Sequence, residues 1–140
     1  MIVNVQSAQP DFLEEISVGR HSLKADEPIE AGGKDLAPNP YELLLAALGS
    51  CKGITIRMYA ARRNWPLEGV HIALSHTRVH ADDCANCELE APMTDQIDVA
   101  IRLAGALSAE QRERLLAVAE KCPIQRALNP QIRIRTQLSG

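Results

Sequence analysis

The stretch from Pro38 to Arg63, PNPYELLLAALGSCKGITIRMYAARR, constrains the fold more than any other part of the chain. It is long, mostly apolar and marked as a helix at both ends. Asn39 can cap a first turn, and Pro40 suits its first position, where no amide hydrogen is needed. Arg57, Arg62 and Arg63 sit towards the far end, where positive charge offsets the carbonyl end of the helix dipole. Spacings of three and four join Leu44, Ala47, Leu48, Cys51, Ile54, Thr55 and Met58 into one apolar face, which predicts a buried side with the Cys51 thiol pointing inward. Gly49 and Gly53 flank that cysteine, and each costs about 1 kcal/mol against alanine inside a helix. Their presence predicts close approach by another element and a thiol in a narrow, mostly apolar crevice. A cysteine kept only for its small size satisfies the same pattern.

Before this helix, Ile2 to Val5 and Glu15 to Ala25 read as strands around the turn-formers Gln9, Pro10 and Asp11, with Gly19 as a bend or bulge. Pro28 to Pro40 is a connector long enough to be a functional loop. After the helix, Trp65 and Pro66 mark its end. Val70, Ile72 and Leu74 then alternate with His71, Ala73 and Ser75 in a half-buried strand running towards His80, with His71 on its exposed side. Ile97, Val99, Ile101 and Leu103 alternate in the same way, which predicts an antiparallel pair. Gly105 breaks the second strand. Ser108 and Gln111 have capping-box spacing for a helix carrying Leu115, Leu116, Val118 and Ala119. Pro123 favours the first position of a short helix through Leu128, with Cys122 as its cap beside free backbone N–H groups that would stabilise a thiolate. Ile132, Ile134, Thr136 and Leu138 alternate as a last strand. The order predicts an α+β fold with antiparallel sheet, in one domain spanning residues 1–140. The broad apolar helix surface, with few aromatics to cover it, points to a dimer.

Composition narrows the function classes. The chain has 46% hydrophobic and 24% charged residues and a net charge of -3, which gives no drive towards nucleic acid or an acidic membrane surface. The N-terminus shows no basic start followed by an apolar run, and no uninterrupted apolar segment approaches ~18 residues. A cytoplasmic protein is expected. Four cysteines, Cys51, Cys84, Cys87 and Cys122, in a reducing compartment point to catalysis, metal binding or burial before structural disulfides.

A buried thiol near an arginine can be held as thiolate, attack a peroxide O–O bond and become a sulfenic acid, which a second thiol converts to a disulfide. Cys51 and Cys122 lie far apart in sequence, and only the fold can bring them together. Cys84 and Cys87 form a C-x-x-C preceded by His80 and His76. It reads as half a zinc site, a second redox pair or two surface cysteines. Asp82, Asp83 and Glu88 would disfavour ionisation of these thiols, making them poor peroxide nucleophiles.

The segment GGKDLAPNPYELLLAALGSCKGITIRMYA, followed by LAGALSAEQRERLLAVAEKCPIQRAL, resembles the OsmC/Ohr family of thiol-dependent hydroperoxide reductases, in its OsmC-like branch. The pattern Pro-x-Glu-Leu-Leu before Gly-Ser-Cys, with a later Lys-Cys-Pro, carries the resemblance from about Asp26 onward. It implies an OsmC-like fold and an intertwined homodimer with a peroxidatic and a resolving cysteine at each of two interface sites. Residue by residue, Cys51 matches the peroxidatic cysteine and Cys122 the resolving one. Family members also use an arginine from the N-terminal strands and a glutamate in the first helical turn. Arg20 is the arginine candidate, with His21 beside it, and the acidic candidate is Glu42. Tyr41 stands at the usual glutamate position, and Gln125 stands where many relatives have histidine after Cys-Pro. The implied activity is reduction of organic hydroperoxides, with an external dithiol as reductant and no cofactor or metal. A non-catalytic dimer of this fold that binds an apolar ligand or a metal is the rival reading.

Overall fold

A computed structural model describes residues 1–7, 10–80, 93–129 and 132–139. The elements in order are β1 (Asn4–Ser7), β2 (Glu14–Val18), β3 (His21–Ala25), a 3-10 helix at Ile29–Ala31, α1 (Pro40–Arg62), β4 (Gly69–His80), β5 (Met93–Ala104), α2 (Ala109–Ala119) and α3 (Pro123–Leu128). The expected α+β class with antiparallel pairing is the one observed. Two compact units divide the chain at Ala46 and Ala47, inside α1.

In the first unit, β1, β2 and β3 form a meander in that order. Glu14, Ile16 and Val18 turn to its half-buried face while Glu15 and Ser17 turn away, as strand alternation requires. The turn at Gly19 and Arg20 closes the β2–β3 hairpin. The connector that follows is held by one carboxylate, Asp26, which is only 3% exposed. Its oxygens accept the backbone N–H groups of Glu27 at 2.8 Å, Leu36 at 3.1 Å and Lys34 at 3.3 Å. The Asp26 N–H itself donates to the Pro38 carbonyl at 3.1 Å. Asn39 caps α1 as its position predicts, with Oδ1 accepting from Glu42 N at 2.9 Å. The Glu42 carboxylate returns a bond to Asn39 N at 2.9 Å, completing a reciprocal box around two amides that would otherwise lack helical partners.

The second unit holds the larger core. β4 and β5 pair antiparallel from Gly69 opposite Ala104 to His80 opposite Met93. Gly105, with φ at 129°, ends β5 in a conformation that disfavours side chains. Ser108 and Gln111 make both bonds of the expected capping box. Ile56 and Ala60 of α1 meet Leu115 and Ala119 of α2 in the buried cluster, with Trp65, Val70, Ile101 and Leu103 packed against it. Arg112 fixes the turn after β5, donating to the carbonyls of Leu103 at 2.8 Å and Gly105 at 3.0 Å.

Two expectations need correction. The buried face of α1 runs through Leu48, Lys52, Ile56 and Ala60, whereas Ile54 and Met58 are 59% and 50% exposed. Apolar residues surround most of this helix, so spacing alone does not fix which face packs inward. The last strand is also missing: residues 132–139 carry no regular structure, and Ile132, Ile134 and Leu138 are exposed. Alternation provides a strand with a face but not with hydrogen-bonding neighbours, and among the described residues no strand pairs with this one.

By length and a mean hydropathy of 1.2, α1 would pass as a membrane-crossing segment. Its packing against α2 is equally that of a core helix, and the buried Lys52 on that face would be costly in lipid.

Candidate active site

Cys51 sits mid-way along α1, and the first helix glycine lies two residues before it. Leu74 of β4 packs over that glycine so closely that a Cβ added at Gly49 would lie 2.7 Å from its Cδ1. A Cβ at Gly53 would lie 3.8 Å from Ile72. The strand therefore approaches the helix backbone beside the thiol, as the glycines predict. Cys51 is half-buried and Cys122 has no exposed surface. Thr55 returns its hydroxyl to the Cys51 carbonyl at 2.8 Å, which satisfies a helical acceptor within the same turn.

Cys122 is the cap residue of α3, as expected from Pro123 at the first helical position. Its sulfur accepts the Gln125 N–H at 3.4 Å. The fold also brings the Cys51 side chain near enough to Cys122 to influence its thiol. Both cysteines are free thiols. Two residues distant in sequence thus meet because α1 carries one sulfur and the α2–α3 junction the other.

The expectation that the helix end favours a Cys122 thiolate needs correction. Burial pushes this thiol above its ordinary range, although the Gln125 N–H pulls the other way. The neighbouring Cys51 side chain pushes it up further, and the Lys52 charge lowers it. Removal from water outweighs one amide dipole here. Cys122 therefore holds its proton more firmly than an ordinary thiol.

Lys52 is the component that sequence reasoning missed. Its side chain is 1% exposed, and Nζ donates to the Ala119 carbonyl at 2.9 Å and to the Gln125 side-chain oxygen. Glu120 lies 3.8 Å away with 62% of its side chain exposed, and Gln125 Nε2 donates to Glu120 at 2.9 Å. A signal was present, since Lys52 falls four residues from both Leu48 and Ile56 on a helix with few other charges. Glu120 and Gln125 also line a cavity of about 430 Å³ with Asp95 and Asp98 of β5. A larger cavity, about 640 Å³, opens beside Trp65 and Asn64 and is lined by neither cysteine.

The remaining candidates belong to the first unit or lie outside the described residues. Arg20 is exposed in the β2–β3 turn, His21 is exposed at the start of β3, and Tyr41 is 53% exposed. Glu42 spends one carboxylate oxygen on Asn39 N. Cys84 and Cys87 lie outside the described residues. Of the histidines read with them, His76 is bonded to Asp95 at 2.8 Å. Among the described residues no group of three His, Cys, Asp or Glu could hold a metal ion.

Residues 32–137 match the family model for OsmC-like proteins. The chain belongs to the OsmC-like family. Comparison with curated proteins finds no match. Among solved structures, an OsmC-like protein of Mycoplasma pneumoniae superposes with a TM-score of 0.72 at 14% identity, over 92% of this chain and 86% of that one. An organic hydroperoxide resistance protein OsmC of Legionella pneumophila gives 0.66 at 24% identity, over 92% and 88%. The organic hydroperoxide resistance protein OhrB of Bacillus subtilis gives 0.61 at 17% identity, over 92% and 90%. The OsmC-like fold is thereby established for this chain.

Proposed function

We propose that this OsmC-like protein is a thiol peroxidase that reduces organic hydroperoxides through Cys51 and Cys122. The observation that carries the reading is that the Cys51 side chain lies near enough to the buried Cys122 to raise its thiol further. Cys51 as thiolate attacks the distal peroxide oxygen. The O–O bond breaks, the alkoxide takes a proton and leaves as an alcohol, and Cys51 becomes a sulfenic acid. Cys122 then attacks the Cys51 sulfur, expelling water and forming the disulfide. The two sulfurs must approach to about 2 Å for that bond to form. An external dithiol reduces the disulfide by two exchange steps.

The substrate class is supported by the names of the Legionella and Bacillus relatives, both organic hydroperoxide resistance proteins. The assignment of Arg20 and Glu42 to holding Cys51 ionised rests on the family resemblance, as does the homodimer, and the cytoplasmic setting rests on the character of the N-terminal sequence. None of these steps calls on a metal or cofactor.

The decisive measurement is peroxide consumption with a dithiol present. Cys51→Ser is expected to abolish it, and Cys122→Ser to permit about one turnover before stopping. Undiminished steady-state turnover in Cys51→Ser would refute the mechanism. Thiol titration after one equivalent of an organic hydroperoxide gives an independent reading. Loss of two thiols per chain supports the enzyme, and no loss favours a non-catalytic binding protein.

A further inference from the structure

A lysine in the middle of a core-facing helix side is an expensive choice. Leu48 and Ile56 occupy the neighbouring turns of the same face, and an apolar side chain at position 52 would pack there without removing a charge from water. The ammonium is satisfied by hydrogen bonds more than by opposite charge. Two of its partners, the Ala119 carbonyl and the Gln125 amide oxygen, are neutral. Among the described residues its one ion pair is with Glu120, at 3.8 Å and mostly in water, where screening leaves it weak. Much of the positive charge therefore remains unneutralised at short range. Ala119 and Glu120 immediately precede the Cys122 segment, and Gln125 gives its backbone N–H to the Cys122 sulfur while its side chain holds Lys52.

We propose that Lys52 is the buried counter-charge that allows Cys122 to ionise in the disulfide-forming step, with Gln125 and Glu120 setting how much of that charge the sulfur feels. The inference rests on the peroxidase reading for its place in the reaction. In that step Cys122 loses its proton, its thiolate forms the bond to the Cys51 sulfur, and the S–O bond of the sulfenic acid breaks. The departing hydroxide and the released proton make water. The burial that keeps Cys122 a thiol at rest opposes this ionisation, and Lys52 is the nearby cation that counters it. Gln125 supplies an acceptor for the ammonium without supplying a negative charge, so the field at the sulfur is preserved. Among the described residues, the ionisable groups near Cys122 are Cys51 and Lys52 from α1, with Glu120 at the end of α2 beside Lys52. Asp95 and Asp98 of β5 line the adjoining cavity. Lys121 and Arg126, near it in sequence, are exposed.

The test isolates Cys122 as the sole thiol by replacing Cys51, Cys84 and Cys87 with serine, then follows thiolate ultraviolet absorbance against pH. Lys52→Met is expected to raise the titration midpoint by about one unit. Glu120→Gln, at an exposed carboxylate, is expected to lower it. Gln125→Glu, which sets a negative charge against the ammonium, should raise it. Opposite shifts from two substitutions on the same lysine would not arise from general loosening of the fold. An unchanged or lowered midpoint in Lys52→Met overturns the proposal. If that variant does not fold, a midpoint that fails to fall in Glu120→Gln or to rise in Gln125→Glu overturns it. In the chain with all four cysteines, Lys52→Met should slow conversion of Cys51 sulfenic acid to disulfide about threefold at neutral pH, because the scarcer thiolate is also more nucleophilic. Failure of the unaltered chain to consume peroxide would defeat the peroxidase reading while leaving the titration result intact.

Discussion

Cys122 has no exposed surface, and burial first of all keeps its proton on. Its thiol titrates higher in the folded chain than in the unfolded one. The stabilisation this implies is fully present below the ordinary thiol range and is lost as pH rises through the folded value, since the unfolded state then releases the proton more readily. Denaturant titrations at neutral pH and at about pH 10 should therefore show a loss of stability that is smaller in Cys122→Ser. An equal loss in both would place the alkaline sensitivity elsewhere. At this scale the two sulfurs were legible. Cys122 preceded a proline in a helix-start pattern, and Cys51 sat between glycines that needed a reason. Lys52 was not legible, because its side chain belongs inside only once Ala119 and Gln125 arrive from distant parts of the chain to accept its hydrogen bonds.

Helix ends and turns were readable for the opposite reason: their chemistry is local. Ser108 and Gln111 form the box their spacing predicts, and Ser108→Ala should lower stability by about 1 kcal/mol in equilibrium unfolding. The Pro28–Pro40 connector depends on Asp26, whose carboxyl is held below its usual range chiefly by the Leu36 N–H, with those of Glu27 and Lys34 adding to it. A depressed carboxyl contributes stability above its unfolded value of 3.8, and that contribution disappears as pH falls through the lower folded value. Asp26→Asn is expected to increase protease cleavage within the connector at neutral pH, with a smaller difference from the unaltered chain in acid. The face of α1 was less legible. Cys51, Ile54 and Met58 form as plausible an apolar stripe as Leu48, Ile56 and Ala60, and only the neighbouring elements decide between them. The same holds for residues 132–139, where alternation predicts a strand and partner availability decides whether one forms.

For the molecule as a whole, the exposed apolar side chains of Ile54, Met58, Ile132 and Ile134 accord with the dimer that the family resemblance implies. Sedimentation at micromolar concentration should give twice the mass of one chain, and a monomer mass would remove the homodimer from the account. Turnover should be faster with an alkyl hydroperoxide than with hydrogen peroxide at equal concentration, and the reverse order would put the substrate class in question. The fold class was legible from the succession of patterns.

The Cys122 sulfur that accepts the Gln125 amide at the start of α3 is also the atom proposed to join Cys51. Redirecting it into a covalent bridge withdraws an acceptor from that amide, so oxidation and melting of this six-residue helix become linked equilibria. Amide hydrogen exchange at Gln125 and Arg126 should accelerate on oxidation and slow again on reduction. The redox state of the buried Cys122 sulfur would then be broadcast to solvent through the fraying of a single turn.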